Sequence, residues 1–141
     1  MELILFYTKL IPINRLTLGR SQRLKHRKLI DSLFEKGVRF NVTPYRVYFL
    51  LRKEVPAAEA GALFGTGVGK RYFKRAVDRN RIKRICREAF RRQQLDLINH
   101  LKLNNMQLQV FFIYTAREMP EQESCHVAVQ AALKKISNSP T

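Results

Sequence analysis

The sequence predicts an α+β fold, an α/β sandwich of element order α-β-β-β-α-β-α in which helices cover a mixed four-stranded sheet. Three observations predict it. Gln107–Thr115, QLQVFFIYT, crowds six apolar or aromatic residues into nine positions, a strong strand signal. Tyr45–Arg52, YRVYFLLR, alternates so that Tyr45, Val47, Phe49 and Leu51 share one face and Arg46, Tyr48 and Leu50 the other. Between Lys70 and Arg92, Ile82, Ile85, Cys86, Ala89 and Phe90 recur at i, i+3, i+4, i+7 and i+8, the buried stripe of an α-helix. With 141 residues, 45% of them hydrophobic, the chain is one domain large enough for a layered core.

The elements follow in order. Residues 1–16 read as an N-terminal extension ahead of a domain over 17–136. Ser21 is placed to cap a helix over Gln22–Lys36, with Leu29, Ile30, Leu33 and Phe34 on its apolar side and Gly37 as its stop. Arg20, Arg23, Lys25, Arg27 and Lys28 crowd the first half of that helix, where positive charge opposes the macrodipole, so these cations point to binding rather than helix stability. An edge strand around Val38–Val42 precedes the Tyr45–Arg52 strand. Lys53–Ala60, KEVPAAEA, is a turn, and Ala62–Val68, ALFGTGV, is a buried strand whose glycines let the backbone approach another group. The basic helix is expected over Arg75–Gln93, followed by a less regular helical stretch, Leu95–Leu103, and a turn at Asn104–Asn105. After the Gln107–Thr115 strand, Gln122–Ile136 reads as a helix with Val127, Ala131 and Leu133 inward. Residues 137–141 read as a disordered tail.

Charge narrows the partner. The formal net charge is +16 and the pI about 10.6. Such an excess repels itself unless an anion is bound, and nucleic acid is the leading candidate. The excess is concentrated: Lys70–Arg92 holds eleven Lys/Arg against Asp78 and Glu88. At about 100° per residue, Asn80, Arg84, Arg87 and Arg91 fall opposite the apolar stripe, with Lys83 beside them. No basic amphipathic helix with clustered Trp or Phe suggests a membrane surface. The apolar run Leu3–Tyr7 is too short for a span, which takes about 20 residues, and lacks the flanks of a signal peptide. Cys86 and Cys125 suit packed, reduced thiols of a cytoplasmic protein. His26, His100 and His126 are scattered, so no metal site is expected, and the eleven acids form no paired-carboxylate grouping for catalysis.

The run Arg79–Arg84, RNRIKR, followed by Arg87, Glu88, Ala89 and Phe90, resembles the signature helix of the bacterial ribonuclease P protein subunit family. RLKHRKLIDSLFEKG (Arg23–Gly37), the aromatic strand PYRVYFL, and GVGKR (Gly67–Arg71) are similar to its other conserved stretches, in the same order, so the resemblance spans about Ser21–Ile136. The resemblance implies a left-handed βαβ crossover of the kind found in the ribosomal protein S5 domain 2-like fold, an exception to the usual right-handed rule. It implies a protein that assists a catalytic RNA in endonucleolytic removal of the 5′ leader from precursor tRNA. The partners so implied are the RNA subunit and precursor tRNA, with no membrane and no small-molecule substrate. Mg²⁺ is needed by the holoenzyme, and no cofactor is bound by the protein. A general RNA-binding or ribosome-associated protein without a role in tRNA cleavage is the other reading.

Carried over residue by residue, the resemblance assigns Lys70, Arg71, Arg79, Asn80, Arg81, Lys83, Arg84, Arg87 and Arg91 to the RNA subunit. Arg79 and Arg81 lie nearer the flanks of the helix, so one of them is expected to anchor it. Phe34, Ile30, Arg46, Tyr48, Arg23 and Lys25 are assigned to the single-stranded leader, bound by base stacking plus backbone charge. At Ile30 the family usually carries Phe, and an isoleucine packs without stacking. No residue of the chain is assigned to catalysis.

Overall fold

The computed structural model describes residues 22–24 and 26–138. The elements are helix α1 (Arg27–Lys36), strands β1 (Val38–Val42), β2 (Tyr45–Arg52) and β3 (Gly61–Val68), helix α2 (Ala76–Leu103), strand β4 (Gln107–Tyr114) and helix α3 (Gln122–Ser137). This is the expected α-β-β-β-α-β-α order. The sheet is mixed, in the order β1-β2-β4-β3. β1 and β2 form an antiparallel hairpin, β2 and β4 are antiparallel, and β3 and β4 are parallel, joined by the long helix α2.

The alternation in β2 and β4 makes two faces. Tyr45, Val47 and Phe49 of β2, Leu108, Val110 and Phe112 of β4 and Phe64 of β3 point to one side and are buried there against Ile82, Cys86 and Phe90 of α2 and Val129 and Ala132 of α3. Phe64 and Phe90 stack with ring centres 4.3 Å apart. The other side is only partly covered, by α1, whose Leu33 is fully buried. The layers are therefore α1, sheet, and α2 with α3.

Three expectations are corrected. Helix α1 starts at Arg27, not Gln22, because the preceding chain pairs with the sheet. The Leu24 N–H donates to the Phe64 carbonyl at 2.8 Å, and Arg23 forms a parallel bridge with Phe64. Leu24 is buried there, and His26 occupies the N-cap position without a side-chain cap. Second, the basic helix does not give way to an irregular stretch. α2 is one helix of 28 residues, because Gln94, Leu97 and Leu101 continue the buried stripe past the polar pair Gln93–Gln94. The Gln93 amide bonds to the carbonyls of Ala89 and His126, both at 3.0 Å, which ties α2 to α3. Third, in α3 the inward residues are Cys125, Ala128, Val129, Ala132, Leu133 and Ile136; Val127 and Ala131 are exposed, about two positions out of phase with that stripe. Ser137 is the last residue of α3 and Asn138 its C-cap. Ser21, Arg20, Lys25, the segment 1–16 and residues 139–141 lie outside the described residues.

Gly37 ends α1 for a steric reason. Its backbone is extended (φ −75°), but a Cβ there would lie 2.4 Å from the Leu33 carbonyl oxygen that accepts its own N–H. The core also holds a small polar cluster, in which the Tyr45 and Thr66 hydroxyls face the free thiols of Cys86 and Cys125. Burial pushes the Cys86 thiol up to about 12 against the lowering effect of its hydrogen bonds with Thr66 and Tyr45, and burial pushes Cys125 and Tyr45 upward as well. No helix among the described residues is long and apolar enough to cross a membrane.

Candidate nucleic-acid interface

The first surface is the solvent side of α2. The stripe that buries Ile82, Ile85, Cys86, Ala89 and Phe90 leaves Asn80, Arg81 and Arg84 exposed and Lys83 and Arg87 half-buried. Among the described residues none of Arg81, Lys83, Arg84 and Arg87 makes an ion pair, so four cations face outward without compensation. Two other members of the predicted set are engaged within the protein. The Arg79 guanidinium donates from Nη1 to the carbonyls of Phe73 (2.8 Å) and Lys74 (2.7 Å), fastening the β3–α2 connection to the helix. Arg79, not Arg81, is thus the anchor. Arg91 clasps Glu88 through Nε (2.9 Å to Oε2) and Nη2 to Oε1, and Arg92 adds a 3.1 Å bond to the same carboxylate. These hydrogen bonds, that from Arg91 foremost, hold the Glu88 carboxyl below its ordinary range and the Arg91 guanidinium above its own. Lys70 and Arg71 are exposed on the connection leading into α2.

The second surface lies on the opposite side of the sheet, beside α1. The Phe34 ring packs on Tyr48 (centres 4.7 Å apart) and edge-on against Phe111 (5.2 Å), while keeping 38% of its surface open. Phe34 is thus neither a core residue nor a free one: it is the rim of an aromatic shelf. Arg46 is exposed two residues before Tyr48 on the same strand face. Ile30 is half-buried one helical turn before Phe34. Arg23 is exposed on the sheet edge beside β3, not on α1.

Phe111 was missed by sequence reasoning, although the signal was present. Alternation through QLQVFFIYT puts Gln109, Phe111 and Ile113 on the face opposite Leu108, Val110 and Phe112, and register pairs Phe111 with Tyr48 on one side and Gly65 on the other. The group that the glycines of β3 approach is this ring. A Cβ at Gly65 would fall 2.5 Å from Phe111 Cδ2, and one at Gly67 would fall 3.2 Å from Cε1. So two missing side chains on β3 let one ring lie flat along the sheet and complete the shelf.

Chemically, one surface offers an array of unneutralised cations on a rigid helix, and the other offers stacked rings with a flanking guanidinium. The first fits a folded polyanion and the second an unpaired strand. No group of three or more His, Cys, Asp or Glu side chains among the described residues is arranged to hold a metal ion.

A family model for ribonuclease P matches residues 18–137. The ribonuclease P protein component of Porphyromonas gingivalis (strain ATCC 33277) is 34% identical over 122 residues, covering 86% of this chain and 88% of that protein. That of Chlorobaculum tepidum is 30% identical over 128 residues, covering 84% and 82%. Among solved structures, the Staphylococcus aureus RNase P protein matches with a TM-score of 0.61 over 83% of this chain and 95% of that one. A mutant of that protein with defective mRNA degradation activity matches with 0.67 over 94% and 97%. Both are 21% identical to this chain and speak for the fold.

Proposed function

The chain belongs to the ribonuclease P protein family, and from that premise we propose that it is the protein subunit of the ribonucleoprotein that removes the 5′ leader from precursor tRNA, holding the RNA subunit on α2 and the leader on the shelf beside α1. The observation that carries this division of labour is the placement of the two surfaces on opposite sides of one sheet. Asn80, Arg81, Lys83, Arg84 and Arg87, with Lys70 and Arg71, face the catalytic RNA. Phe34, Tyr48 and Phe111, with Arg46, take the unpaired leader. Arg79 and Arg91 support the first surface from within, Arg79 through the β3–α2 connection and Arg91 through Glu88.

The chemistry belongs to the RNA, where bound Mg²⁺ would supply an activated water. The protein's contribution is electrostatic and positional. Bringing the RNA subunit and precursor tRNA together sets two polyanions against each other, and cations that displace condensed counterions relieve that cost. The compartment for this work is the cytoplasm.

Reconstitution tests it. The purified protein is mixed with a bacterial ribonuclease P RNA and a 5′-labelled precursor tRNA at Mg²⁺ low enough to leave the RNA alone nearly inactive. Leader removal at the mature 5′ end, seen only when both components are present, is the expected result. Binding of both RNAs without restored cleavage would instead favour a general RNA-binding protein.

A further inference from the structure

The basic surface does not end at the signature helix. The connections 69–75, between β3 and α2, and 115–121, between β4 and α3, leave the same end of two neighbouring parallel strands. Where they meet, the Arg71 guanidinium lies 5.4 Å from the ring centre of Tyr72, and that of Arg117, from the other connection, lies 5.0 Å from it. Tyr72 is 41% exposed. Neither arginine has a carboxylate or hydrogen-bond partner among the described residues.

Drawing two guanidinium groups to one exposed ring sets like charges close together, which is unfavourable unless an anion joins them. Both connections are also braced. Arg79 bonds to the carbonyls of Phe73 and Lys74 immediately after Tyr72. On the other side of the cluster, Thr115 donates through its N–H (2.9 Å) and hydroxyl (3.0 Å) to the Pro44 carbonyl, and the Tyr114 hydroxyl donates to the Glu118 carbonyl at 2.5 Å. Arg117 is thus held between two fixed points, with its planar fork of donors unspent. The connection that carries it runs on to Pro120 and Glu121, which line one groove with Arg81 and Arg84 of α2.

We infer that Arg117, with Arg71 and set by Tyr72, is a phosphate clamp that extends the RNA-subunit surface from α2 onto the β4–α3 connection. Tyr72 is a positioning residue here, since cations rather than bases lie against its ring. This inference rests on the reading of α2 as the RNA-subunit face.

The test is a salt titration of the full-length protein binding to a ribonuclease P RNA, for the unaltered chain, Arg117→Ala, Tyr72→Leu and Arg84→Ala, with thermal melts to confirm folding. Arg117→Ala should weaken binding several-fold and lower the log Kd–log salt slope by about 0.7–0.9, the share of one phosphate contact. Tyr72→Leu should weaken binding while leaving the slope unchanged, and should have little further effect in the Arg117→Ala background. Unchanged affinity and slope for Arg117→Ala beside a clear loss for Arg84→Ala would overturn the clamp and leave the α2 surface standing. No loss for either would overturn both. A loss confined to leader-bearing precursor tRNA in the reconstituted holoenzyme would also overturn the clamp, by moving Arg117 to the other surface.

Discussion

Gly65 and Phe111 show how a residue with no side chain can shape an aromatic surface. Gly65→Ala would drive the new methyl into the Phe111 ring, at 2.5 Å from Cδ2. The ring is only partly buried and can swing away, so the protein should still fold, with a loss of about 1–3 kcal/mol as for other small overpacking changes. What it should lose is the shelf. Gly65→Ala is expected to reproduce the defect of Phe111→Ala: less discrimination between precursor and mature tRNA by the reconstituted holoenzyme, by about 1–3 kcal/mol if one stacked base is released. Comparing the two affinities for each variant checks this, and a Gly65→Ala protein that discriminates normally would show that Phe111 takes no part. At this scale the sequence was partly legible. Phe34, Arg46 and Tyr48 could be named from the family pattern and the alternation of β2, and Phe111 could have been named from the alternation of β4. The engagement of Arg79 with two carbonyls and of Arg91 with Glu88 could not, because nothing in a run of like residues says which guanidinium turns inward.

Among the elements, α2 joins the basic face to the core, and its buried side carries a pH dependence. Cys86 faces Tyr45 of β2 and Thr66 of β3. Its thiol is raised from 9.0 to about 12, and the Tyr114 hydroxyl from 10.0 to about 12, burial being the first cause of each. A raised value means that the fold favours the neutral form. Below pH 9 both folded and unfolded chains are protonated at Cys86, and its contribution is full. Between 9 and 12 the unfolded chain ionises while the fold resists, so stability falls as pH rises, and the contribution is gone above 12. The thermal midpoint should therefore be flat from about pH 7 to 8.5 and fall above 9. Cys86→Ala should make the decline shallower by up to about 1.4 kcal/mol per pH unit, the share of one proton. Melts over that range would decide it; an unaltered slope would mean that Cys86 does not titrate on unfolding. The strands and the element order were legible because their signals are local. The errors came where distant residues decide. Pairing of Leu24 with Phe64 across 40 positions shortened α1, the buried Gln94 hid the continuity of α2, and Cys125 set a phase for α3 that the more apolar Val127 concealed.

For the whole molecule, charge acts with opposite sign on folding and on binding. A net charge of +16 repels itself in the free protein, so added salt should raise the thermal midpoint of the free chain. The same salt should weaken its grip on the RNA subunit. Lys70, Arg71, Arg81, Lys83, Arg84 and Arg87, each engaging a phosphate, should together contribute about −5 to the slope of log affinity against log salt, taking about 0.9 per contact, with Arg117 adding one more share. Calorimetry and binding titrations over one salt series would show the two trends crossing. A free protein insensitive to salt would mean that its charges are already neutralised within the fold. One pairing described above also bears on self-association. Leu24 closes against the outer margin of β3, the end strand of the sheet. A chain shortened to start at His26 would leave that margin with unclaimed peptide groups, a template on which a second copy could add its own strand. Such a protein should form concentration-dependent oligomers in sedimentation runs under conditions that keep the full-length chain monomeric; unchanged sedimentation would mean that the Leu24 pairing does not guard this edge.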